Sequence, residues 1–302
     1  MIRKRCFGPP PPELDLASLK GLLLVLEGPD SSGRSSQIDL LAQWLEQQGF
    51  PVVVVGLKRS ALVGKELEKA KDGNVLSPRT MSLFYATDFY DQLENTIVPA
   101  LRAGAVVLAD RYIFTPIARD IVRGADPDWL DSLYSGAIVP DAVFYLQVST
   151  RMLVDRTLTS HGGLDYWESG MDLGMSRDWF GSFLHYQRRL RDQFRKLHDR
   201  YEFTPVNANR TIPTIHAELR ERVRRVLMIH YPNHSFRDGA RNGSPKNSEV
   251  ESGVKDARGP QAKKAGSKKA VVKKAVVKKT AARKTGSPVR KTAGNRGGRS
   301  GR

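Results

Sequence analysis

The chain has 302 residues, a formal charge of +17 and a single cysteine, Cys6. One cysteine excludes an internal disulfide framework and suits a reducing, cytoplasmic compartment. The charge is local: residues 241–302 hold 19 Lys and Arg against Glu249, Glu251 and Asp256, which leaves residues 1–240 nearly neutral, so the high isoelectric point describes a C-terminal segment only.

In chain order, residues 1–12 carry Arg3, Lys4 and Arg5 followed by Phe7-Gly8 and four prolines, with no apolar stretch. Residues 1–19 therefore read as a disordered leader, neither a signal peptide nor a membrane anchor. Apolar runs at 22–26, 52–55, 106–108, 143–148 and 203–206 read as buried strands. Helical periodicity fills the intervals. Residues 35–48 set Ile38, Leu41, Trp44 and Leu45 on one face, 81–102 form a long amphipathic helix, 150–158 another, and 176–201 a third before the last strand. This alternation predicts a doubly wound α/β sheet with its ligand outside the carboxyl ends of the strands.

Directly after the first strand the chain reads Gly28-Pro29-Asp30-Ser31-Ser32-Gly33-Arg34-Ser35-Ser36. A phosphate-binding loop asks for Gly, four residues, Gly, Lys, then Ser or Thr, because backbone N–H groups must curl around an anion while a cation reaches its outer oxygens. Gly28, Gly33 and Ser35 satisfy the pattern, and Arg34 stands in place of the lysine. The exchange keeps the charge but swaps a compact ammonium for a planar fork, so phosphate binding survives it more easily than transfer geometry. A second constellation ends the 106–108 strand, where Asp110-Arg111 leaves the sheet. A carboxylate there can hold Mg²⁺, usually through water, and the neighbouring arginine can clamp a second phosphate. Two phosphate sites imply transfer between them.

With EGPDSSGRSSQ at 27–37, LFYA at 83–86 and DRYIFTPIA at 110–118 in this order and spacing, residues 20–229 resemble the thymidylate kinases. The resemblance implies a P-loop NTPase fold, a three-layer α/β/α arrangement with a five-stranded parallel sheet, spanning residues 20–232. It also implies transfer of the terminal phosphate of ATP to dTMP with Mg²⁺. By the same resemblance, Gly28 to Ser36 would cradle the donor phosphates, with Pro29, Asp30, Ser31 and Ser32 inside the loop, and Arg34, Asp110 and Arg111 would be catalytic. Ser35 and Asp110 would serve the metal. Asp30, Phe84, Asp88, Arg111, Thr115 and Arg119 would line the acceptor site, with Asp30 at the sugar and Phe84 stacked on the base. Family members commonly form dimers through helices such as 81–102, which makes a homodimer an expectation here.

Several positions depart from the family pattern. Asp88 falls where an arginine usually holds the acceptor base, and Ala118-Arg119-Asp120 replaces the usual Ala-Tyr-Gln, so Arg119 and Asp88 are expected to pair. Gly56-Leu57-Lys58-Arg59-Ser60 replaces an Arg-Glu-Pro-Gly stretch, and Lys58 and Arg59 either restore the lost charge or lie on the surface. His161-Gly162-Gly163 occupies the place of a mobile lid, followed by Asp165-Tyr166-Trp167-Glu168, of which Glu168 is a candidate at the cleft. His161, His185 and His198 show no metal-ligand spacing and need no catalytic role, since a monophosphate acceptor is already ionised.

Lys263-Lys264, Lys268-Lys269, Lys273-Lys274, Lys278-Lys279 and Arg283-Lys284 recur every five residues within a basic tail spanning 233–302. The tail resembles those of linker histones. A five-residue step keeps no single helix face and no aromatics are present, so a disordered segment that binds nucleic acid or another polyanion by charge alone is expected, with nucleoid association as one consequence. Two further readings stay open: a non-catalytic, kinase-like nucleotide binder that acts as a nucleic-acid-associated regulator, and a kinase for another nucleotide or nucleoside.

Overall fold

The computed structural model describes residues 3–73, 76–161 and 163–236, and its centre is a sheet of five parallel strands: β1 (Leu22–Glu27), β2 (Val52–Gly56), β3 (Val106–Asp110), β4 (Ala142–Gln147) and β5 (Thr204–Asn207). They lie in the order β2-β3-β1-β4-β5. β1 and β3 are nearly continuous apolar runs because helices cover both faces of the sheet. Alternate residues separate the two cores. Leu22, Leu24 and Leu26 pack with Val106 and Leu108 beneath α1 (Arg34–Gln47) and α9 (Ile212–His230). Leu23, Val25, Val107 and Ala109 face the other layer.

That second layer holds α3 (Pro78–Gln92), α4 (Val98–Arg102), α5 (Phe114–Val122), α6 (Pro127–Leu133) and α8 (Trp179–Tyr201), while α2 (Gly64–Gly73) and α7 (Thr150–His161) flank the carboxyl ends of the strands. The apolar spacing carried by the sequence explains the docking. α9 buries Ile215, Leu219, Val223 and Leu227, one stripe at four-residue steps. α8 begins where Asp178 accepts from the Gly181 N–H at 2.6 Å and buries Phe183, Tyr186, Leu190, Phe194 and Leu197.

The long helix expected over residues 81–102 is divided: α3 starts at Pro78 behind a Ser77 cap, and Leu93–Ile97 forms a π-turn before α4. Pro99 is the physical reason, since it has no N–H to give the carbonyl of Asn95 and its ring crowds that carbonyl.

Residues 3–19 differ from the disordered leader expected of them. Phe7 N donates to Ala137 O at 3.0 Å, Val139 N to Arg5 O at 2.8 Å, and Cys6 bridges Ile138 in antiparallel fashion. The Phe7 ring meets Phe114 and Tyr201 edge-on at 6.0 and 5.2 Å. Lys4 is buried against Asp141, whose carboxylate also accepts from Leu23 N at 2.7 Å and lies 3.7 Å from His230 Nε2. The prolines hide a segment whose apolar and charged residues find partners only in the folded domain.

The other boundary shifts as well. His234 and Phe236 stack around Phe50 and Trp44, so the packed domain runs past 232, whereas the Lys-pair tail lies outside the described residues. Among the described residues no helix is long and apolar enough to cross a membrane.

Removing one partner of a buried pair strands the other charge. Lys4→Ala is therefore expected to lower the unfolding free energy by about 3 kcal/mol, read by urea denaturation; an unchanged midpoint would show that Asp141 is held without Lys4.

Candidate active site

Register brings the chemistry together. Leu26 pairs with Asp110 and Gly56 pairs with Asp110 from the other side, so the loop after β1, the end of β3 and the end of β2 emerge side by side. Gly56 is required by this closeness, because a Cβ there would lie 2.5 Å from the Asp110 carbonyl oxygen. Glu27, fully buried at the end of β1, accepts from Tyr112 N at 2.9 Å and Thr115 Oγ1 at 2.6 Å and so ties the two loops. Burial raises its carboxyl pKa, and those two hydrogen bonds oppose the rise.

The loop turns into α1 at Gly33, whose φ of 90° lies in the left-handed region. No side chain caps α1, and residues 30–36 line a cavity of about 350 Å³ together with Leu57, Arg59, Asp110, Arg111 and Glu168. From α7, Arg156 donates to Ser32 O at 3.2 Å and to Ala208 O at 2.9 Å, bracing the loop from behind.

Arg34 does not extend into this cavity as a free cation. Its Nε donates to Asp110 Oδ1 at 3.0 Å, its Nη1 donates to the carbonyls of Gly28 and Pro29, and its Nη2 lies 3.9 Å from Asp30. The guanidinium cross-links the loop to β3, a task for a fork with several donors. Ser35 Oγ donates to Asp110 Oδ2 at 2.8 Å, and Arg59 Nη2 stands 3.7 Å from the same oxygen. Arg59 thus reaches the charged cavity, whereas Lys58 pairs with Glu68 at 3.2 Å.

Asp30 sits between two arginines: Arg111 pairs with one carboxylate oxygen and Arg119 Nη2 donates to the other at 2.6 Å. Arg111 has a φ of 72°, a strained backbone that turns the guanidinium back toward the cavity. Burial first, then the like charge of Arg119, pushes its pKa down to about 9, so it remains a cation at neutral pH.

Beside Arg119 opens a narrow slot of about 30 Å³ walled by Leu57, Met81, Tyr85, Pro116, Trp167 and Tyr186, with Lys71, Asp120 and Arg123 at its edges. Trp167 is held by its Nε1 donating to Lys71 O at 2.8 Å and by Arg123, which donates to Trp167 O at 3.0 Å and pairs with Asp172 at 2.8 Å. Of the expected lid, Gly162 lies outside the described residues.

Three expectations for the acceptor site change. Phe84 packs in the Leu67, Met81 and Tyr85 cluster but does not line the slot; Tyr85, its neighbour on α3, does. Thr115 is buried and its hydroxyl is occupied by Glu27. Asp88 does not pair with Arg119. It is fully buried and accepts from Lys58 N at 2.8 Å and Ser60 N at 2.9 Å, shaping the loop after β2. Burial raises its pKa, against those backbone donors.

Comparison with known proteins agrees with this architecture. The thymidylate kinase family model matches residues 26–169. The chain is 35% identical to probable thymidylate kinase 2 of Saccharolobus solfataricus over 204 residues, covering 67% of this chain and 95% of that protein. The chain belongs to the thymidylate kinase family. Similarity extends to a probable thymidylate kinase of Pyrococcus horikoshii, 30% identical with 70% of this chain and 99% of the relative covered, and to a thymidylate kinase of Halothermothrix orenii, 29% identical with 70% and 100% covered.

Several residues that build this thymidylate kinase-like site escape the sequence reading: Glu27, Tyr85, Arg123 and Arg156. Glu27 closes an apolar strand, and Arg123 follows Arg119 by one helical turn, just past the end of α5, which are weak signals available in the sequence. Arg156 could not be found that way, because its partners are backbone carbonyls remote in the chain.

Asp88→Ala is expected to destabilise the domain by about 2 kcal/mol through two orphaned backbone donors. Its cycle with Arg119→Ala should be additive within about 0.5 kcal/mol in urea unfolding; a larger coupling would restore the Asp88–Arg119 pairing.

Proposed function

We propose that this chain transfers the terminal phosphoryl group of ATP to the phosphate of dTMP, the reaction its family is named for, with Mg²⁺ as cofactor. The observation that carries the reading is the pair of charged stations on one cavity: Ser35 with Asp110 on one side, and Asp30 with Arg111, backed from outside the cavity by Arg119, on the other. In this reading the backbone of residues 28–36 surrounds the donor phosphates. Arg111 receives the acceptor phosphate, Arg59 supplies further positive charge, and Asp30, held between its arginines, borders the sugar. An acceptor phosphate oxygen forms the new bond to the γ-phosphorus as the bond to the β,γ-bridging oxygen breaks, and ADP leaves. No general base is needed, because the acceptor phosphate is ionised near neutral pH.

A hydroxyl and a carboxylate 2.8 Å apart are hard oxygen donors of the kind Mg²⁺ takes, with water and phosphate completing its shell. Ser35 and Asp110 would hold the ion, which when bound neutralises charge on the transferring phosphates. Arg34 acts on this arrangement indirectly by fixing Asp110 against Gly28 and Pro29.

The same reading extends to the partners. The basic segment 237–302 would hold nucleic acid or another polyanion through charge, which would place the enzyme at the nucleoid in a cytoplasmic setting, and the chain would form a homodimer. Retention of the full chain on DNA at low salt, with no retention of a 1–240 truncation, is the expected outcome; equal retention would overturn the assignment to the tail.

ADP release from ATP and Mg²⁺, screened against dTMP, dUMP, dCMP and free nucleosides, tests the central claim. A preference for dTMP is expected. ATP binding without turnover on any acceptor would instead support a regulatory, non-catalytic role. Arg34→Lys is expected to lower kcat/KM at least tenfold, about 1.4 kcal/mol, since an ammonium cannot keep both carbonyl bonds and the Asp110 bond; an unchanged value would make the brace dispensable.

A further inference from the structure

A cavity of about 390 Å³ lies at the amino ends of β4 and β5, the end of the sheet opposite the phosphate-binding loop. Phe7, Phe114, Val143 and Tyr201 give it apolar and aromatic walls, and Arg5, Arg200 and Glu202 bring charge to it. Two of those three charges are unanswered. Arg200 is committed to Asp131 at 2.7 and 3.1 Å, whereas among the described residues neither Arg5 nor Glu202 has an ion pair or a side-chain hydrogen bond. Cys6 also lines the cavity, but burial raises its thiol pKa, so it offers a neutral contact only.

Glu202 is placed there at a conformational cost. It ends α8 with a φ of 53°, in the left-handed region that helices usually give to glycine at this point, so a side chain here is strained. Glycine would end the helix without that strain, and the helix alone does not account for a carboxylate. Arg5 comes from the other end of the chain, on the segment that precedes the family-matched residues 26–169. That segment is fixed by the backbone bonds of Phe7 N to Ala137 O and Val139 N to Arg5 O, and by Phe7 against Tyr201. One free cation and one free anion thus meet at a cavity walled by aromatic rings.

We propose that this cavity binds a small zwitterion with an aromatic body, the chemistry of an aromatic α-amino acid: the Arg5 guanidinium takes its carboxylate, Glu202 takes its ammonium, and Phe7, Phe114 and Tyr201 pack against its ring. A guanidinium meets a carboxylate with two parallel N–H donors, and a carboxylate accepts from an ammonium. Rings that already meet edge-on at the wall favour a further aromatic group in the same geometry. A phosphorylated ligand fits less well, because its negative charges would face a single cation and the Glu202 carboxylate. The volume lies within the roughly 300–1,000 Å³ that small-molecule sites occupy. Ser35, Asp110 and Arg111 lie at the other end of the strands, so the site is separate from the catalytic cavity and its occupancy is read by binding, not by turnover.

Titrations of the full chain with L-phenylalanine, 3-phenylpropionate and 2-phenylethylamine, followed by NMR chemical shifts, test the assignment. L-Phenylalanine is expected to bind with a Kd of about 1 mM or tighter. Each analogue lacks one of the two charges and should bind about tenfold more weakly. Arg5→Ala should weaken L-phenylalanine about tenfold and abolish its advantage over 2-phenylethylamine, which has no carboxylate to lose. Glu202→Gly should do the same relative to 3-phenylpropionate, which has no ammonium. This second variant also separates binding from folding, because glycine adopts the left-handed φ without strain and the urea midpoint should rise while binding falls. A raised midpoint with L-phenylalanine binding unchanged would make Glu202 a strained helix end only and overturn its pairing with the ammonium. The absence of a saturable shift with L-phenylalanine, or binding indifferent to both substitutions, would overturn the proposal as a whole.

Discussion

The alignment of β1 with β3 is the constraint on which the rest depends. Parallel pairing of Leu26 with Asp110 forces the glycine-rich loop and the Asp110-Arg111 turn out of the sheet at the same level, a strand spacing apart. Charged residues that a solvent-exposed loop would keep apart are thereby crowded into a partly buried volume. Asp110 pairs with Arg34, Asp30 pairs with Arg111 and Arg119, and Glu27 lies within the field of Arg34 and Arg111. Each buried charge must be paired, because desolvating it alone costs several kcal/mol. The network answers that requirement, and in doing so it leaves one cavity between two charged stations.

Arg34 shows how such crowding assigns a residue its work. A lysine at the same position would be a point charge on a flexible stem. The guanidinium instead spreads its donors over the Gly28 and Pro29 carbonyls and Asp110, converting a phosphate-facing cation into a cross-link within the protein. The charge facing the cavity passes to Arg59 and Arg111, from the loop after β2 and the turn after β3. Asp88 follows the same logic from the opposite direction: once the arginine usual at its position is replaced by a carboxylate, burial compels that carboxylate to find donors, and the backbone N–H groups of Lys58 and Ser60 lie within reach. The loop that carries Arg59 is thus shaped by Asp88.

The slot beside Arg119 is held by a second network centred on Arg123, which binds Asp172, Tyr186 and Trp167 at once and lies 5.1 Å from the Tyr186 ring centroid and 5.6 Å from that of Trp167. Segment 163–175 is therefore pinned to α5 and α8 on one side and to the end of α2 on the other through the Lys71 carbonyl.

Much of this was legible in the chain of residues. Strand runs and helical stripes are local patterns, so the alternation that specifies a parallel α/β sheet, the loop with Gly28, Gly33 and Ser35, and the Asp110-Arg111 turn could be read from residue order, along with the thymidylate kinase resemblance. What order could not show was the partner of each charge. Arg119 is one residue from Asp120 and 31 from Asp88, yet its partner is Asp30, 89 residues away, because α5 passes over the end of β1. Residues 3–19 read as disordered because proline and charge dominate locally, but Lys4 and Phe7 gain their stability from Asp141, Phe114 and Tyr201, over a hundred residues distant. Sequence determined the elements and the chemistry they carry, since both follow from short-range periodicity and residue type; only the tertiary structure decided which charges meet, since that depends on strand register and burial.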